Sequence, residues 1–522
     1  MSSISARDLG LDASHRRQTA QIIAVLASPW ITVGLLVLAI GQQAIGALNG
    51  DVSWFITFAE KFLDGAVPYV DVMDPNTPAA FLSLAPAVVL ARAIHAPVEA
   101  VVVALVFFAA AVSLTLCALI FRAGAPRSRM DRMLLLNAAV YLSLLAPAHN
   151  FAEREHIALI ALAPMLATLI VAAEGGQAAL GLRILAGVGA GAALCFKPFF
   201  ALALFLPMAA LTLRARSMRY FFTAEAATAA LLCLVYGVAT LRFFPAYLDY
   251  AAPLITQLYQ PARDTTFNLV LRSLAPFNVA LLAALAFAAA RGFAPPPVAP
   301  RFVAPAGAYV CGFASVAFLF TFFLQGKGWA NHAYPGVALA LIAWCFFVRD
   351  PHPRARAASH GALFKFVFLP VFVAAPALFG AAQMLAREEE QPGLRAAIAR
   401  FAPPHPRMIA LAQQLDLGHP VTRQLGGVWV GRPNALWVAN FADHLLRTTQ
   451  DPSRRAQLEG FLHRDLVGFR EDIRNGQPDV VVVEDRALRE WALTRPETAG
   501  ALDDFQLAGQ AGAIEIWTRK SR

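Results

Sequence analysis

Long uncharged stretches recur through this sequence, and they decide what it can fold into. Apolar runs cover residues 29–48, 98–121, 133–149, 157–173, 222–244, 274–290, 303–324, 333–348 and 362–384. A helix needs about 20 apolar residues to cross the hydrocarbon core of a bilayer. Only helices and closed barrels can satisfy their backbone polar groups there. Two further stretches are ambiguous. Residues 79–94 are short and hold Pro86 and Arg92, while residues 184–213 are long and are split by Lys197-Pro198. Only 15% of the chain is charged and mean hydropathy is +0.56. A soluble domain carries about 25% charged residues, so this chain could not cover itself with polar surface. Lipid is its solvent.

The net charge of +9 does not point to nucleic acid. The arginines cluster in short connectors, the asymmetry that the insertion machinery reads. The N-terminus is placed inside, 79–94 is taken as an interfacial or half-inserted helix, and 184–213 as two short spans. Arg122, Arg127, Arg129 and Arg132 then fall inside, as do Arg214, Arg216 and Arg219, Arg291 and Arg301, and Arg349, Arg354 and Arg356. About eleven transmembrane helices result, with the C-terminus outside. Arg7, Arg16 and Arg17 precede the first run and no small-residue cleavage site follows it, as in a retained signal anchor. The five cysteines all fall in apolar runs without ligand spacing and read as small buried side chains.

The expected architecture is mainly α. Residues 1–28 form a cytoplasmic segment and 29–384 a transmembrane bundle, with interfacial helices in a first external loop at 49–97. Residues 385–522 form a small extracytoplasmic α/β domain. In that tail, helical patterns at about 441–474 precede a strand in PDVVVVED (478–485) and two strands in 505–520 around a glycine turn.

Chemistry concentrates on the outer side. Asp51 follows the first span directly. Trp54, Phe55, Phe58, Phe62 and Leu63 come next at helical spacing, then Gly65, Pro68-Tyr69, Asp71, Asp74, Pro75 and Pro78. A carboxylate under an aromatic helix lying flat on the bilayer suits a general base, held close to an acceptor hydroxyl in a partly desolvated site. The same Asp51 could simply cap that helix, and Asp71 and Asp74 could be turn residues. A second cluster, Glu153, Arg154, Glu155 and His156, sits at the outer end of a span, where ionisable groups are costly unless they face water or one another. It reads as an ion-paired helix start or a site wall, and its His and two acids could hold a divalent metal. A third, QGKGWANHAYPG (325–336), offers Lys327, His332 and Tyr334, either as phosphate partners or as an interfacial anchor. The loop 245–272 adds Arg263 and Arg272, and Lys197 is another outward cation.

The order of the first loop resembles the GT-C glycosyltransferases, which include the protein O-mannosyltransferases and the lipid A aminoarabinose transferases. The matching residues are Asp51, Ala59, Leu63, Gly65, Pro68, Tyr69, Asp71, Asp74, Pro75 and Pro78. The chain departs from the pattern at Val52, where many relatives carry a second acid, and at Asp74–Pro78, where relatives often carry a lysine. The resemblance implies a polyprenyl-phosphate-linked sugar as donor, a lipid, glycan or protein acceptor, and a bacterial cytoplasmic (inner) membrane location. It makes Asp51 the base, Glu155 its acidic partner and Lys327 a phosphate ligand; Arg263 or Arg272, read from their own chemistry, could bind the phosphate beside it or belong to a plain solvated loop. Asp71, Asp74, Glu153, Arg154, His156, His332 and Tyr334 would line the substrate site. Some members use a metal and others do not. The competing readings are a transporter or flippase, and a non-catalytic envelope assembly protein.

Overall fold

The structure, a computed structural model, describes residues 25–273, 306–348, 391 and 393–520. The expected spans at 274–290 and 362–384 lie outside those residues. The first helices are α1 (Pro29–Ile45) and α2 (Gly50–Leu63), α3 (Ala79–Ile94, broken at Ser83-Leu84), α4 (Val98–Ile120) and α5 (Arg129–Val140). Then follow α6 (Arg154–Ala173), α7 (Leu180–Phe196), α8 (Leu202–Ala215), α9 (Ala224–Phe243), α10 (Thr266–Ser273), α11 (Ala306–Gln325) and α12 (Ala330–Val348). Among the described residues, five helices are long and apolar enough to cross a membrane, or six if the bent pair α1–α2 counts as one span.

The central helix is α6, 72% buried along its apolar window, against 17% for the lipid-facing α9. Pro164 lies inside α6 and leaves the Ile160 carbonyl without its helical donor. The Ser113 hydroxyl on α4 donates to that carbonyl at 2.6 Å, so the break is satisfied by a neighbouring helix. Helices α7 and α9 pack through small residues. A Cβ on Gly187 would lie 2.4 Å from the Glu225 carbonyl oxygen, and one on Gly191 would lie 2.9 Å from Leu232 Cβ. Such close approach is how helices associate where no hydrophobic drive separates protein from lipid.

The long stretch at 184–213 does split at Lys197. Proline at 198 disfavours helix in the residue before it. Lys197 is accordingly extended, and a short 3₁₀ turn at Pro198–Ala201 leads into α8. The segment 245–262, expected as a loop, is instead wound into helical turns at Tyr247–Ala251 and Ile255–Tyr259.

The C-terminal region comprises α13 (Leu394–Phe401), β1 (Arg407–Leu411), β2 (Val428–Trp429), α14 (Trp437–Leu446), α15 (Pro452–Gly476), β3 (Val480–Val483), α16 (Arg486–Leu493), β4 (Phe505–Ala511) and β5 (Ile514–Arg519). The sheet order is β2-β1-β3-β5-β4. Strand β1 runs parallel to β2 and β3, while β5 is antiparallel to β3 and β4. All four valines of β3 are fully buried, as a central strand covered on both faces requires. Gly512, at a φ of 62°, makes the β4–β5 turn.

This region sits on α2. Arg423 holds both carboxylate oxygens of Glu60, at 2.5 and 3.1 Å, and reaches Glu99 at 2.7 Å. Lys61 donates to the Gly431 carbonyl at 2.9 Å, and the Met73 amide to the Arg432 carbonyl at 2.9 Å. Fully buried His419 stands edge-on to Trp54 and Trp429. The helix expected at 50–63 is present, and its apolar residues are covered by protein. Val52, Trp54, Phe55, Ile56, Phe58 and Ala59 are buried, and the C-terminal region covers part of the helix surface.

Candidate active site

The site begins at the elbow between α1 and α2, where the chain bends by 68°. Asn49 and not Asp51 caps α2, its side chain accepting the Val52 amide at 2.9 Å. Asp51 lies in the first turn, where the helix dipole favours an acid. Its carboxylate turns to the Arg154 Nη2, 2.7 Å away, and keeps 21% of its side chain exposed. The Arg154 guanidinium lies 4.7 Å from the Phe55 ring centroid. Asp51 and Phe55 stand one turn apart on α2, so a single face of that helix offers both an anion and a π-surface to the arginine.

Residues 153–155 fan out from the start of α6 to three partners. The Glu153 carboxylate accepts from the side-chain amides of Asn49 and Asn331. Burial, with the Asp51 and Glu155 charges beside it, pushes this carboxyl up to about 8. Glu155 is buried and paired at 2.5 Å with Lys197. Lys197 also donates to Gln325 at 2.7 Å and to the His332 Nε2 at 3.1 Å. All three ammonium protons are thereby engaged. With Nε2 accepting, the proton of a neutral His332 ring sits on Nδ1. Three buried atoms in this cluster have no partner: Arg154 Nη1, Glu155 Oε2 and His332 Nδ1. Unsatisfied buried groups of this kind call for an explanation. Here two are donors and one is an acceptor, and all belong to residues of one network.

The other sequence candidates divide sharply. His156 is fully buried. Its Nδ1 accepts the Ala152 amide at 3.0 Å and its Nε2 donates to the Ser143 carbonyl at 2.7 Å, which leaves neither nitrogen for a substrate or metal. Tyr334 donates to the Leu142 carbonyl in the core. The Lys327 ammonium donates to the Tyr259 and Ala262 carbonyls, between the Tyr259 and Phe441 rings at 4.2 and 4.4 Å. Burial lowers it to about 8. Arg263 is spent on the Leu324 and Phe323 carbonyls at the end of α11, at 3.0 and 2.5 Å. Helix-end and turn carbonyls thus hold both Lys327 and Arg263. The Arg272 side chain lies outside the described residues. Asp71 is exposed and accepts the Val67 amide at 2.8 Å. Asp74 is buried, with the Trp54 indole at 2.8 Å and the Asn76 amides at 2.7 and 2.8 Å, and burial raises its carboxyl. Tyr69 holds that turn in a left-handed conformation, at a φ of 67°.

Sequence reasoning underweighted Lys197, whose ammonium pairs with Glu155 in this network. Its signal was a charge before a proline in the middle of an apolar stretch. Among the described residues, no group of three or more His, Cys, Asp and Glu side chains could hold a metal ion. His156 has both ring nitrogens engaged, and each Glu153 oxygen accepts from an asparagine amide.

No family model matches the chain, and no curated protein matches it. Two solved structures share its fold. One is ArnT from Cupriavidus metallidurans bound to undecaprenyl phosphate, with a TM-score of 0.54 at 14% identity, covering 94% of this chain and 98% of the other. The second is the same protein in the apo state, with a TM-score of 0.52 at 15% identity, covering 94% and 97%. ArnT is a lipid A aminoarabinose transferase of the GT-C fold, and the fold of this chain, a membrane helix bundle with a small C-terminal sheet, is of that type.

Proposed function

We propose that this GT-C-fold chain transfers a sugar from a polyprenyl-phosphate carrier to an acceptor hydroxyl or amine, with Asp51 as general base. The reading places about eleven spans in a bacterial inner membrane. Residues 1–28 lie inside, 29–384 form the bundle, and 385–522 lie on the outer face with the site. The observation that carries it is the open network: Asp51 is partly exposed and paired with Arg154, and Arg154 Nη1 and His332 Nδ1 are two buried donors without partners. A phosphate oxygen is the ligand such donors lack. The fold supports the same class of donor, since ArnT was crystallised with undecaprenyl phosphate.

In this mechanism the donor phosphate takes Arg154 Nη1 and His332 Nδ1. Asp51 accepts the proton of the acceptor group. The acceptor oxygen or nitrogen attacks the anomeric carbon as the bond from that carbon to the phosphate oxygen breaks. The electron pair leaves with the polyprenyl phosphate, and configuration inverts. Arg154 and the Lys197–Glu155 pair stabilise the charge that develops on the leaving group, in a setting that is already oriented. Glu153 orients the site through Asn49 and Asn331. Lys327 acts as a strut for residues 259–262.

The test supplies purified protein with a radiolabelled polyprenyl-phosphate sugar. Loss of label from the lipid, abolished in Asp51→Asn, supports the reading. Full activity in that variant removes Asp51 from the mechanism.

A further inference from the structure

A cavity of about 660 Å³ opens on the other side of α2 from the charged network. Its walls are mostly apolar: Ile40 and Ala44 on α1, Ala47 just beyond its end, and Ala100, Val103, Ala104 and Phe107 on α4, with Gln43 of α1 among them. Its polar end gathers Ser53, Gln424 and the Arg423–Glu99 pair. Successive residues on a helix are about 100° apart, so Ser53 lies about 200° round α2 from Asp51. From Glu99 to Phe107 a helix rises about 12 Å. That approaches the depth of one leaflet, half of a hydrocarbon core about 30 Å thick.

Two observations identify the occupant. Ser53 is 1% exposed and its hydroxyl has no hydrogen-bond partner, although it lines this cavity. A hydroxyl enclosed without a partner costs free energy that a polar group in the cavity would recover. The charge balance then limits what that group can be. Arg423 is one cation held by two carboxylates, Glu60 and Glu99, so the polar end carries an excess of negative charge. A phosphate headgroup would be repelled there, and a hydroxyl would be accepted.

We propose that this groove is a lipid-binding site, which takes one hydrocarbon chain of an uncharged, hydroxyl-bearing membrane lipid such as a glycosyl diacylglycerol, with the headgroup hydroxyl on Ser53. The chain lies along α1 and α4 through one leaflet. The site is separate from the phosphate-binding cluster, and it stands whether or not the chain transfers a sugar.

The experiment is native mass spectrometry of the full-length protein, delipidated in detergent and titrated in parallel with monoglucosyl dioleoylglycerol and with dioleoyl phosphatidylglycerol. One equivalent of the uncharged lipid should bind at least tenfold more tightly than the anionic one. Ala44→Trp and Ala104→Trp fill the groove from exposed positions, so they leave the fold intact, and each should abolish that equivalent. Ser53→Ala should weaken the glycolipid about fivefold, the loss of one neutral hydrogen bond, and leave the anionic lipid unchanged. Equal affinity for the two lipids overturns the proposal, and so does undiminished binding in both tryptophan variants. Sugar transfer is not part of the readout, so the result is independent of the function proposed above.

Discussion

Two arginine clusters flank α2, and they are built from the same parts. At its start Arg154 pairs with Asp51 at 2.7 Å, and at its end Arg423 pairs with Glu60 at 2.5 Å. The difference lies in what is left over. Arg423 spends its guanidinium on Glu60, Glu99 and Thr57, and none of its nitrogens is buried without a partner. Arg154, Glu155 and His332 each keep one buried atom open. A closed ion-pair cluster fastens two parts of a chain together. An open one has capacity for something that is not part of the chain. Ion pairs alone do not mark a site, since structural networks form them equally well; what separates these two is open capacity on the members of the ion-pair network themselves, since the open groups near Arg423, the Ser53 hydroxyl and the His419 ring nitrogens, belong to residues outside its ion pairs.

Four perturbations would break or sharpen that contrast, in order of their effect on transfer. Asp51→Asn should lower turnover about 10³-fold, in the range of a lost general base, with membrane insertion unchanged by protease protection; residual activity within tenfold of wild type would end the catalytic reading. Lys197→Met leaves Glu155 as an uncompensated buried charge. It should cost about 3–5 kcal/mol, read as a fall in unfolding temperature in detergent, and Lys197→Met with Glu155→Met should restore much of the loss. A single variant as stable as wild type would mean that the network is not buried. Arg423→Ala should cost about 2 kcal/mol and lower transfer only about tenfold, with faster hydrogen exchange across 50–63; a loss as deep as that of Asp51→Asn would erase the distinction between closed and open clusters.

Smallest for transfer is Asp465 on α15, whose carboxyl burial pushes up to about 7. Its folded value lies above its unfolded one, so the folded state binds more protons between about pH 4 and pH 7. Stability should be greatest below that window and decline as pH rises through it, by at most about 1.4 kcal/mol per pH unit. Asp465→Asn should flatten this part of the stability profile, followed by tryptophan fluorescence, without changing turnover. An unchanged profile would assign the slope to other groups.

The sequence read best where local chemistry decides structure. Charge-free runs became helices, Lys197-Pro198 became a break, and Gly512 became a hairpin turn, because each outcome depends on a few neighbouring residues. It read worst where the deciding partner is remote. Nothing near Lys197 reveals that Glu155, 42 positions away, will claim it. Lys327 and Arg263 look like free cations until the fold presents them with carbonyls from elsewhere in the chain. Strands β1 and β2 escaped notice because one is five residues long and the other two. The cover over α2 was illegible for a related reason. Its contacts come from residues 419–432, more than 350 positions downstream, whose local sequence resembles an ordinary polar loop.

The connections that follow β1 and β2 carry His419, Arg423, Gly431 and Arg432, and these are the residues that grip α2 and Met73. A helix from the same polypeptide thus fills the seat that these connections make. A chimera that exchanged the sheet for a relative's would therefore inherit an empty socket unless residues 50–73 travelled with it, and recombination between such proteins should respect that pairing.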